Sequence, residues 1–328
     1  MPAARPRTAK VGGVLAVVAP GQGAQSPGFL GPWLSDPSFA DRLNWLSAAA
    51  DLDLAHYGTD ADAETIRDTA IAQPLLVGTA VAAACQLFPR PDEAFGATGP
   101  VSVAAGHSVG EIAAAAAAGV LSAEQAMVFV RERGNAMAAA AAASPTGMTA
   151  VLGGDPDEVL AVLDKHGLVP ANMNAAGQVV AAGSLEQLAA LAEDPPAKAR
   201  LRPLSVAGAF HTEYMQPAVS TLARYARAIG TRDPGIRLLS NLDGQVVADG
   251  QAYLGRLVEQ VSAPVRWDRC QQTLTALGVT GLLELPPAGT LTGIARRALP
   301  GVATFALKTP DQLEQARAFV AEHASAQQ

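Results

Sequence analysis

The sequence is poor in charged and aromatic side chains. Charged residues make up only 16% and aromatic residues only 5% of the 328 residues, whereas hydrophobic residues make up 49%. This composition is typical of a compact globular protein and excludes intrinsic disorder for most of the chain. The formal net charge is −7. Because the chain has no overall positive field, the sequence predicts no nucleic-acid partner and no membrane partner.

Cysteines and long apolar segments are also scarce. The two cysteines, Cys85 and Cys270, are far apart and lie in no CxxC or Cys/His cluster. This argues against a disulfide framework and a structural zinc site, so the sequence predicts no metal and a reducing, cytoplasmic location. The longest uninterrupted apolar run, Ile112 to Leu121, has ten residues, about half the length of a membrane-spanning helix. We therefore expect no transmembrane helix.

The first residues imitate a secretory signal peptide only in part. A basic segment, residues 1–10, precedes the apolar segment Val11 to Ala19. Pro20 and a Gly-Gln-Gly turn follow without a small-residue cleavage pattern, and enrichment in Val and Leu is equally typical of a buried strand. We interpret the apolar segment as the first strand of the fold.

Beyond that strand, helical and strand-like patterns alternate, which favours an α/β fold of about two structural units. Strand-like segments lie at Val101 to Ala105, Ile236 to Ser240 and Gly281 to Leu285. Helical patterns cover residues 40–50, 62–71, 73–87, 111–118, 253–261 and 269–277, and a further helix runs from a capping box at Ser122 and Gln125 towards Ala143. The break at residues 144–147 is a candidate boundary between two units.

Residues 146–206 have an order of their own. Strand-like segments lie at 148–152, 169–173, 178–182 and 201–206, with one helix opened by Asp155-Pro156 and another capped by Ser184. The β-α-β-β-α-β order is ferredoxin-like. The sequence therefore predicts a large α/β subdomain, residues 1–145 and 207–328, into which a small ferredoxin-like subdomain, residues 146–206, is inserted.

The segment Gly106-His107-Ser108-Val109-Gly110 matches the G-x-S-x-G motif. It follows a predicted strand and precedes a predicted helix, which is the setting of a nucleophile elbow. Glycines flank the serine because the sharp turn requires unusual backbone angles and leaves no room for side chains. A glycine-rich turn with an incidental serine is the alternative.

A serine hydroxyl needs a base that takes its proton, and histidine is the usual one. The candidates are His56, His107, His166, His211 and His323. His107 adjoins the serine, so its side chain should point away from that of Ser108 and is better explained by structure. His211 lies where the predicted insert returns to the large subdomain, and clefts form at such joins. We therefore predict His211 as the base, with a buried core histidine as the alternative.

Two further features fit acyl transfer. The turn after the first strand, residues 20–25, breaks the dinucleotide fingerprint because Ser26 occupies the third glycine position. Its backbone is better suited to an oxyanion hole, with Gln22 and Val109 as the N–H donors. Arg133 lies on the apolar stripe of its helix and therefore needs a partner. That partner is either a substrate carboxylate or a protein carboxylate.

The ordered motifs resemble one known family. Residues 20–25, 71–74, 106–111, 133–134 and 208–211, followed by 240–241, 264–267 and 284–287, are similar to malonyl-CoA:acyl-carrier-protein transacylases of bacterial type II fatty-acid synthesis, with an actinobacterial-like character. The similarity covers nearly the whole chain. It implies an α/β-hydrolase-like large subdomain that carries a ferredoxin-like small one.

The resemblance also implies roles for individual residues. Ser108 would carry the malonyl group as an ester and His211 would act as base and then as acid, with Arg133 binding the malonyl carboxylate. The implied substrate-binding residues are Gln73, Phe210, His107 and Asn172. The backbone carbonyl of Arg266 would orient His211.

The implied partners are malonyl-CoA, as a substrate, and an acyl carrier protein, with no cofactor and with a monomeric state. Carrier proteins are acidic, so docking would use a local basic cluster formed by Lys198, Arg200, Arg202, Arg296 and Arg297. Whether the carrier serves fatty-acid or polyketide synthesis stays open. A serine hydrolase or thioesterase and a non-catalytic carrier-docking module are the alternative functions.

Overall fold

The computed structural model describes residues 13–324, so the basic residues 1–10 and the last four residues lie outside the described part. The strands are β1 Leu15–Ala19, β2 Val103–Gly106, β3 Thr146–Gly153, β4 Val169–Ala175, β5 Gln178–Ser184, β6 Ala199–Pro203, β7 Arg237–Leu238, β8 Gly281–Glu284 and β9 Ala303–Ala306. The α-helices are α1 Gly31–Leu34, α2 Pro37–Ala50, α3 Leu54–Thr59, α4 Thr69–Leu87, α5 Pro91–Ala94, α6 Gly110–Ala117, α7 Ala123–Ala142, α8 Pro156–Lys165, α9 Leu185–Glu193, α10 Gln216–Ala226, α11 Gly250–Glu259, α12 Trp267–Ala276, α13 Thr290–Ala298 and α14 Leu313–His323.

The large sheet is parallel, with the strand order β7-β2-β1-β8-β9. The central strand, β1, is buried along its whole length, as its Val-rich and Ala-rich sequence predicts. Ala19 at the end of β1 pairs with Gly106 at the end of β2. The turns that follow these two strands therefore leave the sheet side by side at its carboxyl edge, which is where ligands bind in open α/β sheets.

Helix α4 packs against helices α2, α6 and α7 and is buried over most of its surface. By length and hydropathy alone it could cross a membrane, although Thr, Gln and Pro residues interrupt its apolar sequence. However, 78% of its most apolar 18-residue stretch is buried inside the protein, as expected for a core helix. Its partner in the core is α7, and these two helices carry Gln73 and Arg133.

The small sheet is antiparallel, with the strand order β4-β5-β3-β6, and α8 and α9 cover one face. It has a separate apolar core of Val151, Val159, Leu163, Leu168, Val179, Ala181 and Leu191. The element order confirms the predicted βαββαβ arrangement. Since β3 begins at Thr146 and β6 ends at Pro203, we propose residues 146–206 as the small subdomain and the remaining described residues as the large one.

Most predicted elements are confirmed, including the capping box at Ser122 and the helix cap at Ser184, which forms a capping box with Gln187. The helix predicted over residues 62–71 is wrong, because Asp68 caps the start of α4 and a 3₁₀ turn, Thr65–Arg67, precedes it. The strand predicted over 201–206 lies instead at β6, two residues earlier. Helices α1, α3, α5, α10, α13 and α14 and strand β9 were not predicted.

Candidate active site

Ser108 lies in the tight turn between β2 and α6, with a backbone φ of +52°. A side chain on Gly106 would overlap the backbone of Gly110, and a side chain on Gly110 would overlap the carbonyl of Ala19. Glycine is therefore required at both positions, as the G-x-S-x-G motif predicts. Asn241 braces the turn from the other side, since its Oδ1 accepts from the Ser108 N–H at 2.7 Å and its Nδ2 donates to the Gly106 carbonyl at 2.8 Å.

The structure brings His211 to Ser108 across 103 positions of sequence. Ser108 Oγ lies 2.8 Å from His211 Nε2, and His211 Nδ1 lies 2.8 Å from the backbone carbonyl of Gln260. A carbonyl oxygen only accepts, so Nδ1 carries the proton and Nε2 is free to accept the serine proton. The predicted orienting carbonyl of Arg266 is wrong. Arg266 lies beyond the 3₁₀ turn Gln260–Ser262, and its own N–H donates to Asn241 O.

Burial, followed by the nearby positive charge of Arg133, lowers the pKa of His211 to about 3. The imidazole is therefore neutral at physiological pH, which is the protonation state that a general base requires.

Arg133 is almost completely buried on the apolar stripe of α7, as predicted. Its guanidinium donates to Gln73 Oε1 at 2.7 Å and to Gln260 Oε1 at 2.8 Å, and it lies 3.4 Å from Ser108 Oγ. Burial lowers the pKa of Arg133 to about 10, so the group stays charged at neutral pH. Within residues 13–324 no carboxylate forms an ion pair with it. The charge is held by neutral amide oxygens, which a substrate carboxylate can outcompete.

The backbone N–H groups of Gln22 and Val109 lie on the two neighbouring turns at the carboxyl edge of the sheet. The turn that carries Gln22 packs closely against the elbow, because a side chain on Gly21 would lie 2.8 Å from the His107 carbonyl. Neither N–H has an acceptor in the described part of the chain. Val109 is also the N-cap of α6, where the helix dipole favours negative charge.

The other predicted substrate-binding residues differ in their surroundings. Gln73 contacts Arg133, and Phe210, buried, directly precedes His211. His107 instead hydrogen-bonds through Nε2 to Asn174 Oδ1 at 2.8 Å and packs edge-on against Trp267. The Oδ1 atom of Asn172 is buried and has no hydrogen-bond partner among the described residues.

Three residues of the site were not assigned a role from the sequence: Glu111, Asn241 and Gln260. Glu111 and Asn241 belong to motifs that carried the family resemblance, and that was their only signal. Gln260 lies in a 3₁₀ turn without a motif. In residues 13–324 no group of three or more His, Cys, Asp or Glu side chains could hold a metal ion. Cys85 and Cys270 are both free thiols.

A serine nucleophile with a neutral histidine base, on a parallel α/β sheet beside two unpaired N–H donors, defines a protein of the serine acyl-transfer class. In agreement, residues 17–319 match the family model described as "Acyl transferase domain". The malonyl CoA-acyl carrier protein transacylase of Mycobacterium tuberculosis is 53% identical over 92% of this chain and 99% of its own length.

Solved structures give the same result. The crystal structure of MCAT from Mycobacterium tuberculosis has a TM-score of 0.88 and 53% identity over 93% of this chain and 99% of that one. A malonyl-transacylase in complex with a type II PKS acyl-carrier protein has a TM-score of 0.85 and 29% identity, covering 93% of this chain and 99% of that one. The chain belongs to the malonyl CoA-acyl carrier protein transacylase family.

The low pKa of His211 has a measurable consequence. An NMR titration of the folded protein should show this imidazole neutral down to about pH 4, whereas in the unfolded chain it should titrate near about 6.5. Because the folded pKa is the lower one, the contribution of His211 to the free energy of unfolding is complete above about pH 6.5 and is lost as the pH falls towards 3. Comparison with His211→Ala assigns the signal, and titration near 6.5 in the folded protein would contradict the burial argument.

Proposed function

We propose that this protein transfers the malonyl group of malonyl-CoA to the phosphopantetheine thiol of an acyl carrier protein, through a malonyl ester on Ser108. The observation that carries the proposal is the buried guanidinium of Arg133, which lies beside Ser108 Oγ and has only amide oxygens as strong partners. A general esterase has no need of a buried cation at this place. A transferase that selects an acyl group ending in a carboxylate does.

The first half-reaction uses the hydrogen bonds of the site. His211 Nε2 takes the Ser108 proton as Oγ attacks the thioester carbonyl, and the Nδ1 bond to the Gln260 carbonyl keeps the ring in place. The N–H groups of Gln22 and Val109 stabilise the negative charge on the former carbonyl oxygen. When the intermediate collapses, the carbon–sulfur bond breaks, and His211 returns the proton to the departing CoA thiolate.

The second half-reaction repeats these steps with the carrier thiol in place of the serine hydroxyl. His211 accepts the thiol proton, the sulfur attacks the ester carbonyl, and Ser108 leaves with the proton that His211 returns. The product is the malonyl thioester of the carrier, and the enzyme is regenerated. The order is therefore ping-pong.

Selectivity for the malonyl group follows from the pocket around Ser108. Arg133 binds the free carboxylate, and Gln73 holds the guanidinium from α4. The bulky Phe210 beside His211 would crowd an α-methyl branch, so the pocket favours malonyl over methylmalonyl. Asn172 offers its unpaired Oδ1 to an amide N–H of the pantetheine arm.

The predicted basic cluster is partly gathered in one place. Lys198, Arg200 and Arg297 line a cleft of about 760 Å³ between the small subdomain and α12–α13, whereas Arg202 and Arg296 are not part of its lining. None of the three lining cations forms an ion pair within residues 13–324. We propose this cleft as the docking surface for the acidic carrier protein.

We further propose that the protein acts as a monomer, because all groups of the site come from one chain. We place the reaction in the cytoplasm, because Cys85 and Cys270 are both free thiols, as is usual in a reducing compartment. Fatty-acid elongation is the primary use that we propose for the product. Transfer to a polyketide carrier is the second candidate, since a structural relative is described in complex with a type II PKS acyl-carrier protein.

Intact-protein mass spectrometry tests the activity directly. Brief exposure to malonyl-CoA should add one malonyl group to the wild-type protein and none to Ser108→Ala, because the hydroxyl is the acceptor. Addition of phosphopantetheinylated carrier protein should then remove the adduct and yield malonyl-carrier. Release of CoA without a lasting adduct or carrier product would instead indicate a hydrolase or thioesterase. Complete inertness of the folded protein would indicate a docking module.

Replacing the buried cation should change which acyl group is accepted. Arg133→Ala should slow acylation of Ser108 by malonyl-CoA about 10- to 100-fold, the value of a hydrogen-bonded charge, and should spare acetyl-CoA. The matched control is Arg131→Ala on the same helix, because Arg131 is partly exposed and bonds to Glu132 at 2.7 Å. Single-turnover rates with both donors measure the preference. An unchanged ratio of the two rates in Arg133→Ala would contradict the carboxylate-binding role.

Charge reversal tests the docking cleft. The triple variant Lys198→Glu, Arg200→Glu and Arg297→Glu should raise the KM for the carrier about 10-fold or more, since steering by surface charge mainly affects association. The rate is measured with enzyme already malonylated, so that CoA binding does not contribute. Arg90→Glu is the control, because Arg90 is an exposed cation that pairs with Glu93 and is not part of the cleft lining. If the triple variant transfers at the wild-type rate, the carrier docks elsewhere.

A further inference from the structure

Glu111 is a buried carboxyl group in the first turn of α6, and the reaction steps given above do not use it. Its Oε1 accepts from the Asn241 N–H at 2.7 Å and from the Tyr253 hydroxyl at 3.3 Å. Its Oε2 accepts from Gln260 Nε2. It forms no ion pair with Arg133, and although the two charges attract each other through space, a hydrogen-bonded connection between them needs an intermediate group. Burying a carboxyl group costs free energy, and its hydrogen bonds offset only part of that cost. We therefore expect the group to have a function.

Gln260 is that intermediate group, because it contacts every catalytic element. Its Oε1 accepts from Arg133 at 2.8 Å, its Nε2 donates to the Ser108 carbonyl at 3.1 Å, and its backbone carbonyl accepts from His211. The side-chain amide has two chemically different ends. The oxygen end must face the guanidinium, since an NH₂ group placed there would oppose five N–H donors.

When ionised, the carboxylate of Glu111 acts together with the Ser108 carbonyl to fix which end of the Gln260 amide faces Arg133. A carboxylate can only accept, so it holds the Nε2 end of Gln260 and leaves the Oε1 end for Arg133. A neutral group with a donor in its place would permit the reverse orientation. Arg133 would then lose one of its two amide acceptors and its fixed direction towards Ser108.

We propose that Glu111 is a positioning residue for recognition of the acyl carboxylate: it sets the amide orientation of Gln260, which in turn aims Arg133. The inference rests on the proposed function only for the role of Arg133. It predicts a selective effect on donors that carry a carboxylate, because the backbone carbonyl that orients His211 does not depend on the amide orientation. Neutral acyl donors do not use the guanidinium and should be little affected.

The variant Glu111→Gln tests the proposal. The new amide keeps its oxygen towards Asn241 and Tyr253 and turns its NH₂ group towards the NH₂ group of Gln260. This opposition of two donors favours reversal of the Gln260 amide against its bonds to Arg133 and to the Ser108 carbonyl. The single-turnover acylation rate of Ser108 with malonyl-CoA, divided by the rate with acetyl-CoA, should fall about 10-fold or more, the value of one hydrogen bond to a charged group. A ratio equal to that of the wild type would overturn the proposal, whether both rates fall together or neither falls.

The matched control is Glu284→Gln. Glu284 is equally buried, and its carboxylate accepts from the backbone N–H groups of Gly289, Leu291 and Thr292, so its loss weakens the start of α13. It should lower the melting temperature without changing the donor ratio. Absence of any acyl adduct in the wild-type protein would refute the proposed function. A wild-type adduct with an unchanged ratio in Glu111→Gln would refute only the role of Glu111.

A measurement on the wild-type protein gives an independent test that does not require the variant to fold. Burial raises the pKa of Glu111 to about 8, although its hydrogen bonds and Arg133 favour the charged form. The titratable groups that face it are Arg133, Tyr253 and Cys270. The pKa of Arg133 is near 10, and burial raises the pKa values of Tyr253 and Cys270, so none of the three should titrate below about pH 9.

The malonyl-to-acetyl ratio of the wild type should therefore rise between about pH 6.5 and about pH 9, as Glu111 loses its proton and becomes purely an acceptor. Effects of pH on the CoA moiety and on the nucleophile are common to both donors and cancel in the ratio. A ratio that stays constant over this range would overturn the proposal.

Discussion

The constraint on which the site depends is the burial of one positive charge beside the nucleophile without a carboxylate in contact. A guanidinium in such a place is costly, and the surrounding structure is arranged to offset that cost. Gln73 and Gln260 supply oxygen acceptors, and Glu111, when it is ionised, supplies a negative charge on the far side of Gln260. The same charge helps to lower the pKa of His211, so the group that selects the substrate also keeps the base neutral.

This arrangement explains why the protein needs no acidic member of a catalytic triad. In a triad, a carboxylate orients the histidine and stabilises its protonated form. Here a backbone carbonyl orients His211, and a carboxylate close to the ring would compete with the substrate for Arg133. The buried acid of this site, Glu111, instead accepts a hydrogen bond from the side-chain amide of Gln260 and has no hydrogen bond with His211 among the described residues.

The parts of the molecule that were predictable from sequence are those fixed by local chemistry. Ser108 was predicted because a tight strand-to-helix turn excludes side chains at Gly106 and Gly110. Both glycines lie within two residues of the serine, so the sequence alone shows the requirement. Arg133 was predicted because a charged side chain on the apolar face of a helix is unfavourable unless a partner binds it. The βαββαβ insert followed from capping residues and turn spacing, as at Ser184.

What escaped prediction depends on contacts between distant segments. The orienting carbonyl was assigned to Arg266 instead of Gln260 because any residue can offer a backbone carbonyl, and only the fold decides which one faces the ring. The partner of Arg133 stayed open for the same reason, since α4 and α7 must pack before Gln73 can reach it. The short edge strand β9 carries too little periodicity to be recognised alone.

The position of the insert has a consequence for how the molecule can change over generations. The chain enters the small subdomain on β3 and leaves it on β6, which are paired neighbours, with Thr149 opposite Pro203. Its two ends are therefore close together, the situation in which an inserted unit can be exchanged with little disturbance of its host. Arg133 belongs to the host, whereas Lys198 and Arg200 belong to the insert. Of the three cations of the proposed docking cleft only Arg297 belongs to the host. On that proposal, much of the preference for the carrier protein is encoded in a stretch of sequence separate from the one that sets the preference for the acyl group, and the two are open to separate selection.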